Sequence, residues 1–298
     1  MRWQPGTGPG LRRPALATRL KRWLAARLAR DPRLRRLVMN EIFTHHAAPG
    51  VLLRVPFADH ALFVDPRDDR ITATLLQGKP WQRDHLVRAI ATLARTDRLA
   101  PGGTFLDVGA NIGALTVYAL LSGTFKHAVA LEPDPDNRVI LTRNLAENQL
   151  SDRTTVIEAA ASGTRHEATL HRDRKNLGAH SLEPGFSMSA GNAITITADR
   201  LDSLLANVRN ANTAPITLAK IDVEGHEFAV LEGATDLLAR RTPLMIEVAF
   251  TTPADRTRLL SLLESTYSTC LDLATPDAEP TPLAAFGPSA LQHDLLIL

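Results

Sequence analysis

From residue 104 onward, short apolar runs alternate with stretches of helical period. Phe105 to Val108, His127 to Leu131, Thr154 to Ile157, Ile216 to Ile221 and Pro243 to Val248 are nearly continuous apolar blocks, the pattern of strands buried on both faces. Between them, apolar residues recur every three or four positions. Pro135-Asp136-Asn137 opens one helix, with Leu141 and Leu145 on its inner face; Phe228, Leu231, Leu237 and Leu238 mark another running through Arg240. A further helix is expected over Ala254 to Glu264, and terminal strands near Tyr267 to Leu273 and Asp294 to Leu298 close the sheet. Strands alternating with helices imply an α/β fold with a mostly parallel sheet covered on both faces. Upstream, Val51 to Pro56 and Ala61 to Asp65 read as strands around a turn at Asp59-His60, and Asp84 to Leu99 as a helix burying Leu86, Ile90 and Leu93. Ala168 to His171 and Ala193 to Thr197 alternate as strands do. The polar segment between them, His171 to Asn192, is too long for a hairpin turn and is expected to be a functional or disordered loop. Asp202 to Val208 is expected to be helical.

Charge divides the chain. The formal net charge is +2, yet residues 1–40 hold eleven Lys or Arg against the single acid Asp31, which is +10, so the remainder is −8 by subtraction. A basic arm on an acidic body speaks against a nucleic-acid-binding surface. Met1 to Pro14 is rich in Gly and Pro and is expected to be disordered. Leu20, Trp23, Leu24 and Leu28 then recur at helical spacing among Arg19, Lys21, Arg22, Arg27 and Arg30, and Leu34, Leu37, Val38 and Ile42 suggest a second short helix. The first reading of this arm is a helix packed on the domain with its basic face in water; the alternative is a peripheral contact with an anionic membrane surface. The expected division is a basic extension over 1–50 and one folded domain over 51–298. Cys270 is the only cysteine, so no intramolecular disulfide forms; it reads as a small core residue. Nothing points to an oxidising compartment, and the expectation is a cytoplasmic protein. No run is long and apolar enough to span a bilayer.

The candidate chemistry sits where strands end. Phe105-Leu106-Asp107-Val108-Gly109-Ala110-Asn111-Ile112-Gly113 passes from a buried strand through a tight turn into a helix start. Gly109 and Gly113 let the backbone turn and a ligand approach, and Asp107 can accept a hydrogen bond from a ligand amine or hydroxyl. The spacing is not the dinucleotide pattern G-x-G-x-x-G, because Asn111 stands at its second glycine. Glu132, 25 residues after Asp107, closes the second strand, where an acid of a doubly wound fold accepts the ribose hydroxyls. Small residues after the third strand, Ala160 among them, leave room for a planar base. The fourth strand ends in Asp222-Val223-Glu224-Gly225-His226-Glu227. Asp222, Glu224 and His226 are candidates for removing a proton from an acceptor, and the imidazole suits base work near neutrality. His180 in the long loop is a weaker candidate. Asp222, Glu224 and Glu247 together could form an oxygen-rich divalent-metal site, although nothing in the sequence makes their carboxylates converge, and no metal is expected.

The glycine loop looks like the cofactor loop of S-adenosylmethionine-dependent methyltransferases. Taken with Glu132-Pro133, Lys220 to Glu227, Leu231-Glu232-Gly233-Ala234, Asn176 to Ser181 and Leu201-Asp202, it resembles the FkbM family over about residues 100 to 250. The resemblance implies a class I methyltransferase Rossmann-like doubly wound sheet, mostly parallel with an antiparallel C-terminal strand. It also implies S-adenosylmethionine-dependent O-methylation of a hydroxyl on a sugar, glycan or secondary metabolite. By this likeness Asp107, Gly109, Asn111, Gly113 and Glu132 are cofactor contacts, with Ala160 on the adenine side. A small residue is expected in the family where His226 stands. The alternatives are a nucleotide- or NAD-binding enzyme of related fold and a non-catalytic binding domain; oligomeric state is not legible.

Overall fold

The computed structural model describes residues 20, 21, 23, 24, 27, 30, 31, 50–186, 190–206, 208, 214–249, 253–286 and 292–298. The chain divides into two compact units, Met1–Ala47 and Ala48–Leu298. In the first, residues 20, 21, 23, 24, 27 and 30 are helical, and the Arg27 guanidinium lies over the Trp23 ring. The disorder expected over Met1 to Pro14 and the helix expected around Leu34 to Ile42 lie outside the described residues.

The second unit opens with an antiparallel hairpin, β1 (Leu53–Pro56) and β2 (Ala61–Val64), then helices α1 (Ile71–Leu75) and α2 (Arg83–Arg95). The alternating core follows: β3 (Gly103–Val108), α3 (Ala114–Leu121), β4 (Phe125–Leu131), α4 (Pro135–Glu147) and β5 (Thr154–Ile157). Strands β6 (Ala160–Ser162), β7 (His166–Asp173) and β8 (Ala190–Arg200) form a separate three-stranded sheet in the order β6-β8-β7. The chain then runs through α5 (Leu201–Ala206), β9 (Ile216–Ile221), α6 (Glu227–Glu232), α7 (Thr235–Ala239), β10 (Leu244–Ala249), α8 (Pro253–Glu264), β11 (Thr269–Asp272), β12 (Thr281–Pro282) and β13 (Gln292–Ile297).

The main sheet has the order β12-β11-β13-β10-β9-β3-β4-β5. Strands β10, β9, β3, β4 and β5 are parallel, and β13 runs antiparallel between β10 and β11. This is the Rossmann-like class I methyltransferase sheet, and the inserted antiparallel strand sets it apart from the dinucleotide-binding order 3-2-1-4-5-6. Each strand sends alternate side chains to opposite layers. Phe105, Ala128, Leu218 and Met245 pack with Leu86, Leu115 and Leu141 of α2, α3 and α4. Leu106, Val129, Ala219 and Ile246 pack with Leu205, Leu231 and Leu259 of α5, α6 and α8. Burying each such leucine contributes about 1.5–3 kcal/mol, so both layers hold the strand ends in register. Asp134 caps α4 by accepting from the amides of Asp136 and Asn137, with Pro135 in the first turn.

Two departures from the expected elements have local causes. The helix expected through Arg240 is broken into α6 and α7 at Gly233, where a Cβ would stand 2.0 Å from the carbonyl oxygen of Ser162; the β6 backbone crosses too close for a continuous side-chain-bearing helix. The long polar segment after β7 is described through residue 186, and Ser181 forms a bridge back to His171.

Candidate active site

A cavity of about 2030 Å³ opens at the C-terminal ends of β3, β4, β9 and β10. Its walls include the turn after β3, the turn after β9, the start of α2 and the segment after β7. The volume is roughly twice the upper end of an ordinary ligand cleft, about 300–1,000 Å³, so it has room for two ligands side by side.

The first wall is the glycine turn. Gly109 has φ +78°, and a Cβ there would lie 1.9 Å from the Asp222 carbonyl oxygen, so the two motif turns touch through main chain. Asn111 also adopts a left-handed conformation, φ +51°. Its N–H donates to Glu132 Oε2 at 2.7 Å, while the Asp134 N–H donates to Oε1 at 2.9 Å. Glu132 lines the cavity with both oxygens held by amides, each keeping a second lone-pair direction for a ligand hydroxyl. Burial pushes its carboxyl up to about 7, against the pull of those two amides. Ala159, Ala160 and Ala161 continue this wall without bulk.

Two expected contacts take other roles. Asp107 is fully buried and does not line the cavity: it lies on the Phe105 side of the strand, accepts from Thr116 Oγ1 at 2.6 Å and faces Lys220 Nζ at 3.5 Å. Gly113 is the N-cap of α3 and also lies off the wall; its φ of +77° and the 3.0 Å approach of Leu141 Cγ show a glycine kept for packing α3 against α4.

Lys220, which the sequence offered only as the first letter of a motif, is the buried cation of the site. Its Nζ donates to the Gly109 carbonyl at 2.8 Å and stands 3.3 Å from Asp222 Oδ2. Burial pulls its pKa down, and the charges of Asp222 and Asp107 more than reverse that, leaving it raised. A lysine inside an otherwise apolar strand was the available signal. Asp222 is lowered in turn: burial opposes its charge, and Lys220 overcomes the opposition.

The second wall carries the carboxylates. Oxygens of Asp222, Glu224 and Glu247 all lie within 4.8 Å of one another, close enough to share a proton or a cation. Burial, reinforced by the Asp222 charge, pushes Glu224 to about 8 and Glu247 to about 11. Asp222 is therefore the ionised member at neutrality, with Glu247 a protonated neighbour. Glu224 has φ +55° and sits before Gly225, φ +97°. This corner is held by Glu227, whose Oε1 accepts from the Gly225 and Val223 amides at 3.0 and 3.3 Å, and by Ser181 Oγ, which donates to the Glu224 carbonyl at 2.6 Å. His226 lines the cavity, but both ring nitrogens are engaged: Nδ1 with Glu183 Oε1 at 2.7 Å and Nε2 with Ser162 Oγ at 3.0 Å. That leaves it no lone pair for an acceptor proton, so it fastens the segment after β7 to the site. His180 is likewise committed, its Nδ1 accepting from the Asp173 N–H at 3.1 Å.

A family profile described as the methyltransferase FkbM domain matches residues 107–269, more than half of the chain. The chain belongs to the FkbM methyltransferase family. Over 158 residues it is 30% identical to the hexuronic acid methyltransferase AglP of Haloferax volcanii, a match covering 52% of this chain and 60% of that protein. It thus spans less than two thirds of that relative. Among solved structures, the FkbM methyltransferase of Methylobacillus flagellatus aligns with TM-score 0.43 and 19% identity over 89% of this chain and 59% of that one. The Pyrococcus abyssi tRNA (uracil-54, C5)-methyltransferase in complex with S-adenosyl-L-homocysteine aligns with TM-score 0.40 and 11% identity over 83% and 43%. The FkbM match takes in the glycine turn, Glu132, the β9 corner and Glu247, and it leaves the start of α2 and strand β13 outside. Among the described residues, no helix is long and apolar enough to cross a membrane.

Proposed function

We propose that this chain is an S-adenosylmethionine-dependent O-methyltransferase whose acceptor is a hydroxyl of a sugar, glycan or secondary metabolite. The observation that carries this reading is the meeting, in one cavity, of the glycine turn with Glu132 on one side and the Asp222–Glu224–Glu247 cluster on the other. The cofactor half fits its proposed guest. Glu132 presents free lone pairs at the end of β4, the alanines of 159–161 leave a flat gap, and Asn111 and Gly109 bring main chain to the wall. When bound, the cofactor supplies an electrophilic methyl on a sulfonium.

The residues of the chain do the rest. Alignment of acceptor oxygen with that methyl can lower the barrier by roughly 7–11 kcal/mol. The acceptor proton needs a base, and Asp222 is the one carboxylate of the cluster that stays ionised, because Lys220 stands beside it. Glu247 holds its own proton and so does not compete as base. Glu224, half-titrated near 8, shapes the charge around Asp222. The relative's hexuronic acid is one acceptor that fits the sugar class.

Calorimetric titration with S-adenosylmethionine, S-adenosylhomocysteine and NAD tests the cofactor half: the first two bind and NAD does not. Turnover tests the rest. Mass spectrometry after incubation with labelled cofactor and glycan or small-molecule extracts shows a methylated product with wild type and none with Asp222→Asn.

A further inference from the structure

The cavity is too large for the cofactor alone, and its second half has a composition of its own. Opposite the glycine turn, the start of α2 contributes Trp81, Gln82 and His85, and β13 contributes Asp294. The antiparallel pairing of β13 with β10 sets Asp294 directly across from Glu247. Gln82 Nε2 lies 3.4 Å from Asp294 Oδ1, and His85 Nδ1 lies 3.3 Å from Oδ2. Gln82, just before α2, therefore steadies one carboxylate oxygen by a hydrogen bond, His85 stands at ion-pair distance from the other without a hydrogen bond to it, and Asp294 lines the cavity. A carboxylate fixed in this way is set to accept from two adjacent hydroxyls at once. Trp81, half-buried on the same wall beside Gln82, adds a broad aromatic surface.

We infer that Trp81 and Asp294 form the acceptor subsite and select a pyranose ring presenting a vicinal diol, Asp294 accepting from the two hydroxyls while Trp81 packs against the apolar C–H face of the ring. A phenol with a single hydroxyl leaves one oxygen of this carboxylate without a donor. A sugar ring is apolar on its faces and a hydrogen-bond donor around its edge, which is what this wall complements. All four residues lie outside the matched family region, 107–269, so the subsite is furnished by the parts of the chain that surround the shared motifs. The inference rests on the methyltransfer reading and deepens it.

The test uses the full chain saturated with S-adenosylhomocysteine and a panel of probes: the methyl glycosides of glucose, mannose, galactose and glucuronic acid, the 2-, 3- and 4-monodeoxy analogues of these, and phenol. Saturation-transfer NMR and calorimetry read binding. At least one glycoside binds, two of its monodeoxy analogues, lacking adjacent hydroxyls, bind about tenfold more weakly, and phenol does not bind. Trp81→Ala and Asp294→Asn each weaken the glycoside about tenfold or more, while Trp81→Phe, which keeps an aromatic face, stays within about threefold. S-adenosylhomocysteine affinity and melting temperature are unchanged in Trp81→Phe and Asp294→Asn. Binding of no glycoside, preference for phenol, or wild-type glycoside affinity in Asp294→Asn and Trp81→Ala overturns the inference while leaving the cofactor reading intact. Failure of wild type to bind S-adenosylhomocysteine overturns the methyltransfer reading itself.

Discussion

Replacing Lys220 by methionine tests the centre of the site most directly. The side chain keeps similar bulk, and the charge disappears. Lys220 donates to the Gly109 carbonyl at 2.8 Å and stands at ion-pair distance from Asp222, 3.3 Å, and from the fully buried Asp107, 3.5 Å. Removing one partner of a buried ion pair costs about 3–5 kcal/mol, because the remaining charge is stranded in a poor solvent. For a domain of this size, each kcal/mol moves the melting temperature by about 2–4 °C, so the single variant melts some ~6–20 °C lower. The damage is not packing alone, and a second change shows it: adding Asp107→Asn removes the stranded charge and restores part of the loss. The coupling between the two substitutions is expected at about 0.5–3 kcal/mol, measured by urea denaturation of wild type, both singles and the double. Lys220→Arg, which keeps the charge, loses less than the methionine variant. A loss below about 1 kcal/mol for Lys220→Met, or additivity within about 0.5 kcal/mol in the double, refutes the argument that this cation holds the site together.

Other consequences are equally measurable. Glu132→Gln weakens S-adenosylhomocysteine binding about tenfold, and wild-type affinity tightens as pH rises through about 7, where Glu132 ionises and becomes a stronger acceptor for hydroxyls; a flat calorimetric profile from pH 6 to 8 contradicts this. Stability runs the other way: Glu132 and Glu227, raised to about 7, and Glu224, raised to about 8, hold protons in the folded state that the unfolded chain has released, so the ligand-free protein melts lower at pH 8 than at pH 6, as scanning calorimetry will show. Gly109→Ala, at φ +78° with its Cβ forced onto the Asp222 carbonyl, abolishes cofactor binding in a titration and lowers stability by more than the roughly 1–2 kcal/mol of left-handed strain alone. Because Lys220 already neutralises Asp222 and Glu247 carries a proton, treatment with EDTA leaves turnover unchanged; restoration of a lost activity by Mg²⁺ or Mn²⁺ would instead make the trio a metal site.

The fold was legible because buried parallel strands write themselves as apolar blocks. Phe105 to Val108 and Ile216 to Ile221 needed no tertiary information, and each block ends where its motif begins. Glu132 was legible for the same reason: its place at a strand end fixes which way it can face. Asp107 was expected at the wall and is covered in the structure. It shares its face of the sheet with Lys220, which reaches the cavity, but Thr116 of α3 and the Lys220 ammonium close over it, and the sequence alone does not show that cover. His226 read as a base because imidazole chemistry is local, whereas its engagement by Glu183 and Ser162 depends on segments 43 and 64 residues away. Gln82, His85 and Asp294 were invisible as a group, since only the antiparallel return of β13 brings residue 294 beside the start of α2.

The segment after β7 holds on to both walls of the site at once. The Leu177 carbonyl accepts from Asn111 at 3.1 Å and from Asn137 at 3.2 Å, while Ser181 and Glu183 grip Glu224 and His226 on the far bank. One strip of chain thereby ties the two walls of the cavity together. A substitution that loosens this strip's hold on Asn111 and Asn137 is therefore felt at Glu224 and His226 as well, because both walls hang from the same few residues.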